Sequence, residues 1–323
     1  MCENNAILEA QNLTKKFKIS KNSTLTACDD ISLKFYQGKT LGIVGESGCG
    51  KSTFIKMLSL ITKPTSGEIM FRGCDITKLK GEEKRNNHSH IQMIFQNPLE
   101  ALPPRMKIRD IICEPLLNFK KIKNHEKDEI ARKYLEMVEL PEEFALRYPH
   151  HMSGGQRQRI GIARALVLEP ELIICDEATS ALDVSVQKNI IELLIRLQKQ
   201  KQISIGFICH DIVLVSQISH QVAVMYLGNI VEILPGKDLH KYAIHPYTKG
   251  LLHSVFYLGM DKSTKIDKLT GEVPSPVNLP NGCPFQSRCS DAKQLCREIK
   301  PKLREYQEGH MVACHLLPID KPV

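Results

Sequence analysis

The stretch Gly45-Glu46-Ser47-Gly48-Cys49-Gly50-Lys51-Ser52-Thr53 has the residue types and spacing of a loop that wraps nucleotide phosphates. Its glycines let successive backbone N–H groups turn inward around phosphate oxygens, where a β-carbon would obstruct. Lys51 can reach the β- and γ-phosphates, and the Ser52 hydroxyl is a ligand for Mg²⁺. The contacts expected to ATP are Gly45, Ser47, Gly48, Cys49, Gly50, Lys51, Ser52 and Thr53. A glycine-rich turn that binds nothing is the plain alternative. Context argues against it. The apolar, β-rich run Thr40-Leu41-Gly42-Ile43-Val44 precedes the loop, and Phe54, Ile55, Leu58 and Leu60 follow at helical spacing. The N-terminus of that helix adds partial positive charge.

Further groups suit phosphoryl transfer. Leu172-Ile173-Ile174-Cys175 is an apolar strand that ends in Asp176-Glu177. A carboxylate at a strand's carboxyl end can hold Mg²⁺, directly or through water, and Asp176 takes that role. Glu177 can orient or deprotonate the attacking water, because this chemistry needs positioning more than covalent help. A strand merely ending in surface acids is the bland alternative. His210 follows the apolar run Phe207-Ile208-Cys209, where an imidazole can donate to the γ-phosphate and hold the water. A lone histidine there is more often structural, so it counts only with the rest. Ser153-Gly154-Gly155-Gln156 opens another helix and makes a second anion-binding N-terminus. It adjoins the helical stretch 97–150 and not the phosphate loop, so it is poorly placed for the same nucleotide. Two chains docked head to tail would solve this, with Lys51 of one facing Ser153 of the other across one ATP.

The elements that must position these groups alternate. Strands are expected at 7–10 and 31–35 with a polar loop at 20–26 between them, and at 68–71 after the turn Pro64-Thr65-Ser66-Gly67. Residues 75–90 read as charged loop, and 91–95 as an apolar strand ending at Gln96. From Asn97 to about Tyr148 the pattern turns helical, with Ile130, Tyr134, Leu135 and Val138 on one face. A helix over 155–168, the strand 172–175, a long helix at about 184–200 and the strands 203–208, 221–226 and 229–234 complete the core. Such alternation implies an α/β fold with a mainly parallel sheet covered on both faces. Phe17, after Lys15-Lys16, is either an exposed ring able to stack on adenine or a plain core phenylalanine.

At 323 residues the chain is too long for one average domain. After residue 256 the periodicity fades, and Pro274, Pro276, Pro280 and Pro284 mark a linker into a cysteine-bearing tail. The expected domains are 1–256, with a helical subdomain at about 97–160, and 257–323. Lys plus Arg number 44 against 36 Asp plus Glu, a net charge of +8. That mild excess suits an anionic membrane surface, polyphosphate or no special partner, and does not point to nucleic acid. No apolar run approaches the ~18 residues of a membrane span. Met1-Cys2-Glu3-Asn4-Asn5 leads into no apolar segment, so no secretory leader is expected. The eleven cysteines lie mostly in apolar runs, unlike a secreted disulfide framework, so a reducing compartment is expected. Cys283, Cys289, Cys296 and Cys314 have five, six and seventeen residues between them. Zinc knuckles are tighter and ferredoxin runs differ, which leaves a soft metal centre and chance both open. Cys49 suggests that thiol alkylation should block ATP turnover.

The order phosphate loop, Gln96, Ser153-Gly154-Gly155-Gln156, Asp176-Glu177, Ser180-Ala181-Leu182-Asp183, His210 resembles the ATP-binding subunit of an ABC transporter over about residues 6–250. The resemblance implies a phosphate-loop core sheet with a helical subdomain and an antiparallel β-subdomain. It implies that Gln96 senses the γ-phosphate and Mg²⁺, and that Asp183 contacts a partner cassette. Met152 stands where the family usually has leucine, and Ala178 where proline often follows the glutamate; neither removes a reacting group. Gln96-Asn97-Pro98, Leu102-Pro103-Pro104-Arg105-Met106, Arg147-Tyr148-Pro149-His150, Ala223-Val224-Met225-Tyr226-Leu227-Gly228 and His245-Pro246-Tyr247-Thr248 narrow it to the oligopeptide and dipeptide importers, some relatives of which import nickel. The implied partners are two membrane permease subunits, a second, paralogous ATPase and an extracellular substrate-binding protein, at the cytoplasmic face of the plasma membrane. The same resemblance implies a small cysteine-rich C-terminal domain with a [4Fe–4S] cluster on Cys283, Cys289, Cys296 and Cys314, Zn²⁺ being the alternative. A soluble ABC ATPase of DNA repair or translation is the other class. Those carry long coiled coils or two cassettes per chain, and neither is present here.

Overall fold

The computed structural model describes residues 6–97, 101–180, 182–254, 271–279 and 281–317. Pro98, Ala181, Pro280 and the expected domain boundary at 256–257 lie outside them. In chain order come β1 (Ala6–Lys18), β2 (Thr24–Tyr36), β3 (Thr40–Val44), α1 (Lys51–Leu58), β4 (Ser66–Phe71) and β5 (Cys74–Asp75). Next are α2 (Gly81–His90), β6 (Ile91–Ile94), α3 (Ile108–Asn118), α4 (Lys127–Met137), α5 (Gly154–Leu166) and β7 (Leu172–Asp176). Then follow α6 (Val184–Lys201), β8 (Ser204–Cys209), α7 (Ile212–Ile218), β9 (Gln221–Tyr226) and β10 (Asn229–Pro235). The chain ends with α8 (Leu239–Tyr242), α9 (Pro246–His253), α10 (Gln294–Glu298), β11 (Arg304–Gln307) and β12 (His310–Val312).

Two compact units divide these elements. One takes Lys78–Ile208 with Phe35–Lys39 and the start of β1. Its strands β6, β7 and β8 pair in parallel, with Ile94 opposite Cys175 and Asp176 opposite Ile208. Leu172–Cys175 and all of β8 are buried, as expected of strands covered on both faces. The helices over them are amphipathic. α4 buries Ala131, Tyr134 and Leu135, and α6 buries Ile190, Ile191, Leu193, Leu194 and Leu197 before Gln202 stops it in a left-handed turn.

The other unit takes Leu8–Lys34, Thr40–Thr77 and the chain from Cys209 onward. It holds an antiparallel sheet in the order β2-β1-β4-β5. It also holds β3 paired in parallel with β9, which continues antiparallel through β10 and β12 to β11. The proline-bearing stretch near 276 runs along β2, where Thr26 N–H donates to Pro276 O (3.1 Å) and Asn278 N–H to Thr24 O (3.0 Å).

Several expectations need correction. The charged stretch 75–90 contains the helix α2, which buries only Asn87 and Ser89. A helix without an apolar stripe leaves no periodic signal. β1 and β2 are each 13 residues long, far beyond 7–10 and 31–35, because their solvent-side residues break the apolar run but not the ladder. The C-terminal hairpin β11–β12 went unforeseen, since its strands are short and mostly polar.

Glu232 of β10 is fully buried and accepts from Ile244 N–H (2.8 Å), His245 N–H (3.2 Å) and the His310 ring (2.8 Å). His245 caps α9, its Nδ1 accepting from Tyr247 N–H at 3.1 Å. Burial pushes the His245 pKa down to about 4, against a smaller upward pull from Glu232. Folded chain therefore keeps this ring neutral while unfolded chain protonates it below about 6.5. Stability should fall as pH drops from about 6.5 towards 4, with His245 accounting for up to about 3 kcal/mol. Thermal melts between pH 7 and 4.5 check this. His245→Asn, which can still cap, should flatten the acid limb; an unchanged limb would rule His245 out as its source.

Candidate nucleotide site

The phosphate loop leaves β3 and enters α1 inside one unit. Gly50, the N-cap of α1, has φ +108°, and a β-carbon there would stand 2.1 Å from Ala27 O. Gly48 differs: nothing lies within 4 Å of where its β-carbon would be, so it is the left-handed backbone, φ +77°, and not crowding that favours glycine there. Lys51 is 5% exposed and folds over its own loop, Nζ donating to Gly45 O (2.6 Å) and Glu46 O (3.0 Å).

Supports for the loop arrive from distant sequence. The β9–β10 turn passes through Leu227 and Gly228, both at positive φ, and Gly228 N–H donates to Cys49 O at 2.8 Å. Tyr247 of α9 accepts from Glu46 N–H through its hydroxyl (2.9 Å). The stretches ending in Leu227-Gly228 and starting at His245 thus hold the loop's backbone. In the sequence these stretches show only as a Leu-Gly turn between two strands and a His-Pro helix start, with no sign of this support.

Phe17 is 42% exposed, with Lys15 Nζ 5.0 Å from its ring centroid. That excludes a core phenylalanine. Cys49 is 3% exposed, and burial raises its thiol pKa against the pull of nearby Lys51. Ready alkylation of Cys49 is therefore not expected: a buried, protonated thiol reacts slowly. His210 is exposed just ahead of Asp211, whose carboxylate caps α7 by accepting from Val213 N–H and Leu214 N–H.

The second group of residues lies in the other unit. Glu177 follows β7 with φ +47°, a costly conformation for a non-glycine residue and one that concentrates at functional sites. Its backbone N–H donates to Ile208 O at 3.1 Å. Gln96 Nε2 donates to Glu177 Oε2 (2.9 Å) and to Ser180 Oγ (3.3 Å), while Ser180 Oγ donates to Glu177 O (3.0 Å). Gln96, Glu177 and Ser180 form one net that aims the carboxylate. Gln96 and Glu177, both expected at the site, are thus brought together, and Ser180, to which the sequence attaches no role, joins them.

Ser153 caps α5 reciprocally. Its N–H donates to Gln156 Oε1 (2.9 Å), and Gln156 N–H donates to Ser153 Oγ (3.3 Å). A β-carbon at Gly154 or Gly155 would meet Leu182 or Val186, so this loop packs on the segment that carries Asp183. Ser153, Gly154 and Asp183 are exposed, and Val184 is 83% exposed. Met152 is buried and fills the place that leucine usually takes.

Cys283, Cys289, Cys296 and Cys314 are free thiols. Cys296, Cys314 and Cys289 all stand near enough to Cys283 to push its thiol pKa up, after burial, to about 11. Among the described residues, however, no three His, Cys, Asp or Glu side chains are gathered where they could hold a metal ion. The four sulfurs share a neighbourhood but not a coordination sphere. Of the other cysteines, Cys28, Cys113, Cys175 and Cys209 are buried as expected, but Cys74 is exposed.

Comparison with known proteins agrees with this geometry. Residues 28–180 match the ABC transporter family and 231–296 the oligopeptide/dipeptide transporter C-terminal region. The oligopeptide transport ATP-binding protein AppF of Bacillus subtilis is 46% identical over 96% of this chain and 97% of its own length. OppF of Salmonella typhimurium, an oligopeptide transport ATP-binding protein, is 46% identical over 90% of this chain and 88% of its own. A solved dimer of the ATP-binding cassette MJ0796, in a post-hydrolysis state with ADP and Pi, superposes with TM-score 0.65 at 28% identity, covering 71% of this chain and 98% of that one. The chain belongs to the ABC transporter ATP-binding family, among the oligopeptide and dipeptide transport ATP-binding proteins.

Proposed function

We propose that this chain is the ATP-hydrolysing subunit of a bacterial peptide importer and works in a head-to-tail pair with a second cassette. The observation that carries the reading is the Gln96–Glu177–Ser180 net, which holds a carboxylate for water activation in a chain that also carries the Gly45–Thr53 phosphate-loop sequence between β3 and α1. Lys51 moves from its loop carbonyls to the β- and γ-phosphates when ATP arrives. Glu177 orients or deprotonates the attacking water, and His210 steadies it against the γ-phosphate. Ser52, Gln96 and Asp176 supply oxygen ligands of the kind that Mg²⁺ takes, and the ion supplies charge neutralisation on the transferring phosphoryl group. Ser153, Gly154, Gly155, Gln156 and Asp183 serve the partner's ATP. Binding closes the pair and hydrolysis reopens it.

No described helix is long and apolar enough to cross a membrane. The pathway then belongs to two permease subunits, fed by a substrate-binding protein, with this chain on the cytoplasmic face. A groove of about 440 Å³ in the helical unit, lined by Arg105, Met106, Arg109, Leu117 and Tyr148 among others, suits a segment of a permease. For the four thiols a [4Fe–4S] centre, with Zn²⁺ the alternative, stays a proposal that rests on the donor set alone and requires the sulfurs to draw together from where they stand; no step of the ATP cycle runs through it. Iron and acid-labile sulfide in anaerobically purified protein would support it, and their absence would remove it.

The functional test is uptake. Proteoliposomes holding the chain with its permeases and binding protein should accumulate labelled di- or oligopeptide only with ATP inside. ATP-dependent uptake of nickel without peptide would assign the complex to metal import instead, and co-purification with nucleic acid and not with membranes would overturn both.

A further inference from the structure

Glu46 is fixed at each of its polar groups. Its N–H donates to Tyr247 Oη, its carbonyl accepts from Lys51 Nζ, and its carboxylate takes a fork of two bonds from Arg288. Arg288 Nη1 lies 2.7 Å from Oε2 and Nη2 lies 3.1 Å from Oε1. The Arg288 side chain is 4% exposed, and its guanidinium sits 5.8 Å from the Tyr226 ring and 6.0 Å from the Phe285 ring. These rings pack edge to face at 5.2 Å, and Tyr247 closes the cluster at 4.6 Å from Tyr226. A tight turn presents the arginine: Arg288 N–H donates to Phe285 O (3.0 Å), and Gln286 N–H donates to Cys283 O (3.1 Å).

A carboxylate in the second position of a phosphate loop is an electrostatic liability. It stands beside the site of a polyanion and would repel it. The buried guanidinium answers that charge and locks the loop's shape with bidentate geometry, which lysine cannot reproduce.

We propose that Arg288 is a positioning residue for ATP: the C-terminal segment reaches back through it to hold the phosphate loop by Glu46 and to cancel the charge that Glu46 would otherwise turn on the nucleotide. This rests on the reading that the Gly45–Ser52 loop takes the phosphates of ATP.

Equilibrium binding of Mg-ATP to the full chain, together with KM and kcat in the assembled transporter, tests it. Arg288→Gln should weaken ATP roughly tenfold or more, mostly in KM. Glu46→Gln alone removes the loop's own negative charge and keeps one bond from Arg288 to the amide oxygen, so it should bind ATP at least as tightly as wild type. The double variant Glu46→Gln/Arg288→Gln should recover most of the loss, because the uncompensated charge is gone. A merely structural pin would give no such recovery. Wild-type affinity in Arg288→Gln, or a double variant as weak as the single, would overturn the proposal. Should Arg288→Gln fail to fold, Arg288→Lys serves: it still cancels the Glu46 charge but cannot fork, so ATP affinity should fall only a few-fold, and a tenfold or larger loss with the charge still cancelled would overturn the proposal. Lys51→Ala keeps the two ideas apart, since tight ATP binding without Lys51 would sink the phosphate-loop reading whatever Arg288 does.

Discussion

Glu177→Gln should leave ATP affinity within a few-fold of wild type and slow steady-state hydrolysis by about 10²- to 10⁴-fold, the range that positioned general-base catalysis contributes. The substitution is nearly isosteric. Glutamine at this position can still accept from Gln96 Nε2, now 2.9 Å from Glu177 Oε2, and the backbone bond from residue 177 N–H to Ile208 O is untouched. What goes is the negative charge that draws a proton from water. Because the interaction matters only as the reaction proceeds, the loss should fall on kcat and not on binding. Colorimetric phosphate release and fluorescent-nucleotide titration measure the two halves. Near-normal hydrolysis would mean that the base has been misassigned.

Lys51→Ala should have the larger effect on binding, with ATP affinity reduced roughly 100-fold or more on loss of a buried charge-assisted contact to phosphate. Lys51 now spends its donors on Gly45 O and Glu46 O, groups of the same loop, so its ammonium is held at the cradle before any anion enters. Lys51→Arg should not rescue. The planar fork cannot place donors as a compact ammonium does, and the side chain is 5% exposed, which leaves little room for a larger head group. Isothermal titration with Mg-ATP decides it, and affinity close to wild type in Lys51→Ala would exclude this lysine as the phosphate anchor.

The groups proposed to react are legible in the sequence for a physical reason. A phosphate cradle needs glycines, a lysine and a hydroxyl at fixed spacing between strand and helix, and β3, the loop and α1 supply them in one short run. Asp176-Glu177 was legible because β7 is a continuous apolar run that stops at the acids. The shell that steadies these groups was not legible, because it comes from far along the chain. Tyr247 meets Glu46 across 201 positions and Arg288 meets it across 242. No local pattern encodes such a meeting. Ser180 was hidden differently: a serine after a strand end has no spacing rule, and its work shows only in the bonds to Gln96 and Glu177. α2 escaped because the residues it buries, Asn87 and Ser89, are polar and leave no apolar stripe to read. The thiol quartet shows the reverse, a sequence pattern stronger than the geometry beneath it, since its donors are not drawn together among the described residues.

The central claim is that ATP gripped at Lys51 is sealed by a neighbour's Ser153 surface. A photoreactive benzoylphenylalanine replacing Ser153, in the assembled transporter carrying Glu177→Gln, tests it most directly. With Mg-ATP present, irradiation should join this chain to the partner cassette at the partner's phosphate loop, as mapped by peptide mass spectrometry, and without nucleotide that product should vanish. Crosslinks confined to the chain's own residues in the ATP-loaded complex would contradict it.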